Sequence, residues 1–316
     1  MSPPQSDDRH PNRPRVRARG GAPAAAAPSN APRTRDRFLS LDAYRAEREW
    51  KRYEGTPQRD LFRELRFRFL RRHAVAARWV LDVGAGPGRF TPAVGAAGAH
   101  RLALDLSREM LRRIPRALPP DREGARDAVD AVVGDALSPP FARAAFGEVA
   151  LVGNAVGFAG GDWGRMLTAA EALVAPGGTL VVEIAPGPGE YSRYLARLPA
   201  TAVGRLFMAP PAALVPRIVR EGFGAEPPRH RSESFERLDA RDLGKRWQDR
   251  GWEVLETTAV APCLGPDPLR IARARAAPRS WAHLLEVEEQ IGHQPERWAS
   301  AAAVMVAARR GLGAHD

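Results

Sequence analysis

A glycine-rich stretch, Val80 to Phe90 (VLDVGAGPGRF), carries the residues best suited to bind a ligand. An apolar run that predicts a β-strand, Trp79 to Val83, breaks into a loop containing Gly84, Gly86 and Gly88, and a helical pattern follows. Glycines let the backbone turn sharply and approach a ligand closely, and the first amides of the helix would point into the same crevice. A glycine-rich turn without a ligand is the alternative interpretation.

Two common glycine loops do not fit this spacing. A dinucleotide-binding loop requires a third small residue where this chain has Arg89, and a phosphate-binding P-loop requires Gly-Lys-Ser/Thr, which is absent. A second predicted strand, Arg101 to Leu106, contains Asp105, which follows Gly88 by 17 residues. An acid about 20 residues after such a loop can accept hydrogen bonds from both hydroxyls of an adenosine ribose. Helix capping is the alternative for Asp105, although Ser107 is the predicted N-cap.

The segment Asp82 to Gly88 (DVGAGPG) closely resembles the first motif of the class I S-adenosylmethionine-dependent methyltransferases. The resemblance implies that S-adenosylmethionine is the cofactor and that Asp105 and Leu106 bind its adenosine. A third predicted strand, Asp127 to Val133, closes with Gly134-Asp135-Ala136. In the family, an acid at this place accepts a hydrogen bond from the adenine amino group, and the adjacent backbone reads the edge of the ring.

The fourth predicted strand, Glu148 to Asn154 (EVALVGN), ends where this family places the residues nearest the transferred methyl group. The Asn/Asp-Pro-Pro-Tyr/Phe sequence of enzymes that methylate DNA bases or glutamine is absent, which counts against those substrates. Gly153-Asn154 is similar to the Gly-Asn of some small-molecule N-methyltransferases, and a strand-end cap is the alternative for Asn154. The predicted cofactor-binding residues are therefore Asp82, Gly84, Gly86, Gly88, Asp105, Leu106, Asp135, Ala136 and Asn154.

The sequence identifies no catalytic residue. Methyl transfer from a sulfonium needs alignment of the acceptor and exclusion of water, and a general base only where the acceptor must lose a proton. Asn154, Glu183 and Tyr191 are the candidates for orienting the acceptor or taking up a proton. We expect no metal, because His283 and Glu286 share a predicted helical face but lack a third ligand.

Strands and helices alternate from Trp79 to Ile184, and a fifth strand follows a Pro-Gly-Gly turn within Leu173 to Ile184. This alternation predicts a doubly wound parallel sheet, in which a ligand lies outside the carboxyl ends of the strands. Two later strands, Trp252 to Ala261 and Ala302 to Arg309, are expected to pair in antiparallel fashion. The predicted fold is α/β: a mostly parallel seven-stranded sheet with an antiparallel last strand and helices on both faces.

The composition predicts a tail followed by one domain. Residues 1–35 are rich in Pro, Ala and Arg and are predicted to be a disordered basic tail, and residues 36–316 to be the methyltransferase domain. In the family, the leading helices cover the cofactor, which makes Tyr44 and Tyr53 candidate contacts. Within the domain we expect N-terminal helices (36–77), a cofactor-binding core (78–184) and two insertions (185–237 and 262–297) that form a substrate lid.

The overall composition excludes several classes of protein. No run of eighteen apolar residues and no secretory signal is present, so we expect a cytoplasmic protein without a membrane partner. Cys263 is the single cysteine, which excludes an internal disulfide and a multi-cysteine metal site. The net charge is +11, but residues 1–40 alone hold eight arginines against three aspartates, so the remainder is only modestly basic.

These observations favour methyl transfer to a nitrogen or oxygen of a small molecule. An RNA methyltransferase that uses the basic N-terminal arm is the alternative, because basic segments bind phosphates through counterion release. A third hypothesis is a cofactor-binding protein without turnover, since a fold alone does not establish an activity. The sequence does not predict the accepting atom or the oligomeric state.

Overall fold

The computed structural model describes residues 42–51, 54–114, 129–159, 162–184, 238–262, 268–298, 301 and 303–313. The strands are β1 (Trp79–Val83), β2 (His100–Asp105), β3 (Val129–Val133), β4 (Phe146–Leu151), β5 (Val174–Ile184), β6 (Trp252–Val260) and β7 (Ala303–Arg310). The helices are α1 (Asp42–Lys51), α2 (Pro57–His73), α3 (Arg108–Leu111), α4 (Ala155–Phe158), α5 (Trp163–Leu173), α6 (Ala240–Gln248), α7 (Pro268–Ala276), α8 (Pro278–Gly292) and α9 (Pro295–Trp298).

All seven strands belong to one sheet with the order β3-β2-β1-β4-β5-β7-β6. The pairs among β1 to β5 are parallel, and β7 runs antiparallel between β5 and β6. The chain winds outward in one direction from β1 through β2 to β3, and in the other direction from β4. The predicted fold is therefore confirmed. The direction of winding reverses between β1 and β4, and sheets of this kind bind ligands beyond the strand ends at such a point.

The predicted strand bounds agree with the structure to within three residues, and those of β1 agree fully. The Pro-Gly-Gly segment differs, because it lies inside β5 instead of forming a turn before it. The pairing of β4 with β5 shifts there, from Phe146 opposite Val174 to Glu148 opposite Thr179. Gly177 adopts φ 76, so the extra residues bulge out of the ladder without interrupting the strand.

The sheet is covered on both faces, which explains why its strands are nearly continuous in apolar residues. On one face, α5 and α6 contribute Leu167 and Trp247 to the core. On the other face, α2 contributes Leu61 and Phe69, together with Leu285 of α8. The sheet is therefore packed between two apolar layers.

The break predicted between the two N-terminal helices is present. Gly55 has φ 83 and Thr56 is the N-cap of α2, where its hydroxyl accepts a hydrogen bond from the amide of Arg59 at 3.3 Å. Pro57 occupies the first helical position, where its missing N–H leaves no hydrogen bond unmade. Among the described helices, none is both long and apolar enough to cross a bilayer.

Several sequence predictions concern residues that the structure does not describe. These are the tail (1–35), the first insertion (185–237), Tyr53 and the side chain of Tyr44. The described helices of the second insertion, α7 and α8, pack against α2 and each other, and Ile271 is buried there. The role of both insertions as a substrate lid stays a prediction.

A network of charged side chains joins α2, α8 and β6. Glu256 of β6 accepts hydrogen bonds from Arg72 at 2.9 Å and pairs with His73 at 2.6 Å and His293 at 3.0 Å. Arg72 also contacts Glu289 at 2.6 Å. Burial alone would raise the pKa of Glu256, but hydrogen bonds from His73 and Arg72 outweigh it and lower that pKa to about 2.

We expect Glu256→Gln to destabilise the fold most at neutral pH. Because folding lowers this pKa from 4.5 to about 2, the carboxylate stabilises the folded state above pH 4.5, and this stabilisation is lost as the pH falls towards 2. Denaturant unfolding of both proteins across this pH range measures the difference. Glu109→Gln, which removes an exposed pair with Arg112, is the matched control. A difference between Glu256→Gln and the wild type that does not change with pH contradicts the assignment.

Candidate functional site

The glycine loop that follows β1 is held against the end of β2. The amides of Gly84 and Ala85 both donate to the carbonyl oxygen of Leu104, at 2.8 and 3.1 Å. Gly84, Gly86 and Gly88 have φ of 68, 54 and 82, a left-handed conformation that favours glycine. All three predicted loop glycines therefore adopt backbone conformations that other residues rarely adopt.

The three glycines differ in what surrounds them. A Cβ on Gly84 would lie 2.8 Å from the Cβ of Ala155, and one on Gly88 would lie 2.7 Å from a side-chain carbon of Ile114. A Cβ on Gly86 would meet no atom of the described residues within 4 Å. Gly84 and Gly88 are thus also required by packing, whereas Gly86 borders open space.

The carboxylate of Asp105 connects this loop to the helix after β2. Its Oδ2 accepts from the amide of Gly86 and its Oδ1 from the amide of Ser107, both at 2.8 Å. The hydroxyl of Ser107 caps α3 by accepting from the amide of Met110 at 3.2 Å, which confirms the predicted N-cap. Carboxylate oxygens accept more than one hydrogen bond, so Asp105 retains the chemistry needed to bind hydroxyl groups.

The end of β3 lies beside Asp105. The amide of Gly134 donates to the carbonyl oxygen of Asp105 at 3.0 Å, and Asp135 accepts from the amide of Leu137 at 2.9 Å through its side chain. This turn fixes the backbone of Ala136. The half-buried residues Leu106, Asp135 and Ala136 are thereby brought to the same edge of the sheet as the glycine loop.

Asp82 lies below the loop, near the end of β1. Its carboxyl group is buried and accepts a hydrogen bond from the hydroxyl of Thr91 at 2.6 Å. Burial raises the pKa of Asp82 to about 7. The hydrogen bond from Thr91 lowers this pKa and offsets part of the effect of burial, whereas the negative charge of Asp105 raises it further. The sequence analysis missed Thr91, because it lies nine residues after Asp82 and belongs to none of the motifs.

Gly153 and Asn154 form a strained turn after β4. Both residues are left-handed, with φ of 75 and 72. Asn154 stands at the N-cap of α4, but its side chain makes no capping hydrogen bond. Its Oδ1 atom is buried and has no hydrogen-bond partner among the residues that the structure describes. A Cβ on Gly157 would lie 2.3 Å from this oxygen. The side-chain amide of Asn154 therefore fits only because residue 157 is a glycine.

Glu183, the next-to-last residue of β5, faces the same turn. Its carboxylate accepts two hydrogen bonds from Arg66 and one from the amide of Gly153. Arg66 was missed by the sequence analysis, although it lies four residues before the buried Leu70 on α2, and a charged residue within an apolar stripe was the available signal. Tyr191, the remaining catalytic candidate, lies outside the described residues.

Helix α1 covers the glycine loop through Arg89, which was also missed. The guanidinium carbon of Arg89 lies 3.6 Å from the centre of the Trp50 ring, and Arg89 donates to Glu54 at 2.7 Å and to the carbonyl oxygen of Trp50. A cleft of about 310 Å³ opens beside this contact. Its lining residues are Glu47, Trp50, Lys51, Glu54 and Arg113.

The core of the chain matches a known family. A family model described as a methyltransferase domain matches residues 80–178, the segment that carries the glycine loop and the ends of β2, β3 and β4. This segment of the chain is therefore similar to a methyltransferase domain. The resemblance to methyltransferases inferred from the sequence motifs is confirmed.

Solved methyltransferases share the fold over their full length. A putative methyltransferase of Haloferax volcanii, solved with the Trm112 activator, is 19% identical, with 90% of this chain and 100% of that chain aligned at a TM-score of 0.51. Magnesium protoporphyrin IX methyltransferase of Synechocystis PCC 6803, solved with bound cofactor, is 11% identical, with the same coverage and TM-score. These similarities show the fold alone, and no curated protein matches this methyltransferase.

We expect Gly86→Ala to weaken binding of S-adenosylmethionine strongly while leaving the fold intact. Alanine in this left-handed position costs about 1 kcal/mol, but its methyl group would point into the open space beside the loop. Gly98→Ala is the matched control, because Gly98 also has positive φ (84), its added methyl group would meet no described atom within 4 Å, and it lies before β2. Calorimetric titration and thermal unfolding of both variants separate the two effects. Equal affinities in the two variants contradict a ligand at Gly86.

A second prediction concerns pH. S-adenosylmethionine is a cation, so a nearby Asp82 binds it best when ionised. Because the pKa of Asp82 is about 7, affinity should fall by up to about tenfold per pH unit below 7. Titrations at several pH values measure this slope, and titrations in buffers of different ionisation enthalpy measure the proton released. Asp82→Asn should bind more weakly and lose this slope; an unchanged slope in that variant assigns the titration to another group.

Proposed function

We propose that this methyltransferase transfers a methyl group from S-adenosylmethionine to a nitrogen or oxygen atom of a small molecule. The supporting observation is the cover over the glycine loop, where α1 is fixed by the stacking of Arg89 on Trp50. A cleft of about 310 Å³, lined by Trp50 and four charged residues, lies beside this contact.

The predicted cofactor-binding residues suit S-adenosylmethionine in their chemistry. In this proposal, the glycine loop and Asp105 bind the ribose, Leu106, Asp135 and Ala136 bind the adenine, and Asp82 and Asn154 bind the methionine end. Two observations support this fit: the open space beside Gly86 and the buried Oδ1 atom of Asn154. An acceptor atom buried without a partner costs about 1 to 3 kcal/mol, and a ligand that donates a hydrogen bond removes this cost.

The protein has little covalent chemistry to perform. S-adenosylmethionine supplies an activated methyl group when it is bound. The residues of the chain would therefore orient the acceptor and exclude water, and α1 and Arg89 close the side of the loop. Asn154, on the turn after β4, is our candidate for contacting the acceptor, and Tyr191 stays a sequence prediction.

Two kinds of macromolecular partner remain as alternatives. RNA would use the basic arm, residues 1–35, which holds seven arginines. A protein activator is suggested by the Haloferax volcanii structure, which is a complex with Trm112. The cytoplasmic location also stays a prediction from the composition.

Transfer of labelled methyl into a size-fractionated cell extract tests the proposed acceptor class. We expect label in the small-molecule fraction, insensitive to nuclease and protease, and at least tenfold less label with Asp105→Ala, which loses the hydrogen bonds to Gly86 and Ser107. Nuclease-sensitive label in the large fraction would overturn the small-molecule acceptor in favour of RNA. Cofactor binding without label in any fraction would support the non-catalytic alternative.

A further inference from the structure

A buried ion pair connects α2 to the end of β5. Arg66 is 3% exposed and Glu183 is 2% exposed. The Nε and Nη2 atoms of Arg66 donate to the two carboxylate oxygens of Glu183, each at 2.8 Å, and Nη1 donates to the carbonyl oxygen of Phe62 at 2.9 Å. Such a two-point contact fixes the plane of the carboxylate as well as its position.

The same carboxylate holds the strained turn after β4. Its Oε2 atom, which accepts from Arg66, also accepts from the amide of Gly153 at 3.0 Å. Gly153 is followed by Asn154 in a second left-handed conformation, with φ 72 and ψ 26. A left-handed non-glycine residue costs about 1 to 2 kcal/mol and persists where its surroundings hold it. Glu183 supplies that restraint one residue before Asn154.

Stability alone does not account for this arrangement. Moving two charges out of water is costly, and apolar residues of similar volume often replace a buried ion pair without loss of stability. An apolar pair, however, has no acceptor for the amide of Gly153. An apolar pair could therefore not hold the turn that carries Asn154 in a fixed position, whereas the ion pair can.

We propose that Arg66 and Glu183 are positioning residues for methyl transfer. Arg66 fixes the carboxylate of Glu183, and Glu183 fixes the Gly153-Asn154 turn, which carries Asn154 at the end of β4. This proposal rests on the proposed function in placing Asn154 at the acceptor. It gives Glu183 a role different from the proton acceptor considered from the sequence, because its carboxylate is held by a guanidinium and an amide.

The double variant Arg66→Met/Glu183→Leu tests this role without leaving a single charge buried. We expect it to fold with a stability near that of the wild type and to bind S-adenosylhomocysteine. Amide hydrogen exchange in residues 152–158 should become at least tenfold faster, because the amide of Gly153 loses its acceptor. Once the labelled acceptor is identified, kcat should fall by at least about tenfold, and KM for S-adenosylmethionine should rise by a smaller factor, because Asn154 is only one of the proposed cofactor contacts.

The matched control is Arg68→Met/Glu289→Leu. It also removes an ion pair between α2 and another element, here α8, with an N–O distance of 3.0 Å, together with the contact of Glu289 with Arg72. We expect this control to leave exchange in residues 152–158 and kcat unchanged. Arg66→Lys keeps the charge but not the two-point contact, so it should give an intermediate exchange rate.

Wild-type exchange rates in residues 152–158 of the folded double variant, or an unchanged kcat, would overturn the positioning role. If the double variant does not fold, the same exchange measurement on Arg66→Lys decides the question, with unchanged rates contradicting the proposal. The exchange and S-adenosylhomocysteine measurements do not depend on the acceptor. A wild-type protein that transfers no methyl group would therefore contradict the proposed function and not this structural role.

Discussion

The carboxylate and carbonyl groups of Asp105 hold together the segments from which the candidate site is built. Its side chain accepts hydrogen bonds from the amides of Gly86 and Ser107, and its carbonyl oxygen accepts one from the amide of Gly134. One residue therefore fixes the glycine loop after β1, the helix after β2 and the loop after β3. These three segments start at neighbouring strands, so their positions relative to each other follow from the parallel sheet. The adenosine half of the proposed cofactor site depends on this arrangement.

The other half of the site depends on contacts between distant parts of the chain. Arg66 reaches Glu183 across 117 residues, and Arg89 meets Glu54 and Trp50 of the preceding helical segment. Helices α1 and α2 thus border a candidate site whose motif residues come from the strand ends and from the loops that follow them. Because these contacts are charged and partly or fully buried, small changes in α1 and α2 can alter the site without altering the fold. In our proposal, the cofactor is bound by residues at the ends of neighbouring strands. The surroundings of the acceptor depend instead on contacts between residues that are distant in the sequence.

This difference also explains what the sequence could predict. The strands, their order of appearance and the acids at their ends follow from apolar periodicity and glycine spacing, and these predictions agree with the structure. The partners of Asp82 and Glu183 were not predicted, because hydrogen bonds from Thr91 and Arg66 arise from packing. Thr91 leaves no signal in the sequence, and the only signal for Arg66 is its place as a charged residue within an apolar stripe. The Pro-Gly-Gly segment was misread as a turn, since its chemistry is that of a turn and only pairing with β4 makes it a bulge. Tyr191 and the first insertion lie outside the described residues, so the predictions about them rest on the sequence.

The central claim is that one molecule of S-adenosylmethionine binds at the carboxyl ends of β1 to β4. Titration of the isotope-labelled protein with S-adenosylhomocysteine, followed through backbone amide chemical shifts, tests it most directly. The account predicts binding of one molecule per chain, with the largest shifts at Gly84, Gly86, Leu106, Ala136 and Asn154. Absence of binding, or shifts confined to the opposite ends of the strands near His73 and Gly98, would contradict it.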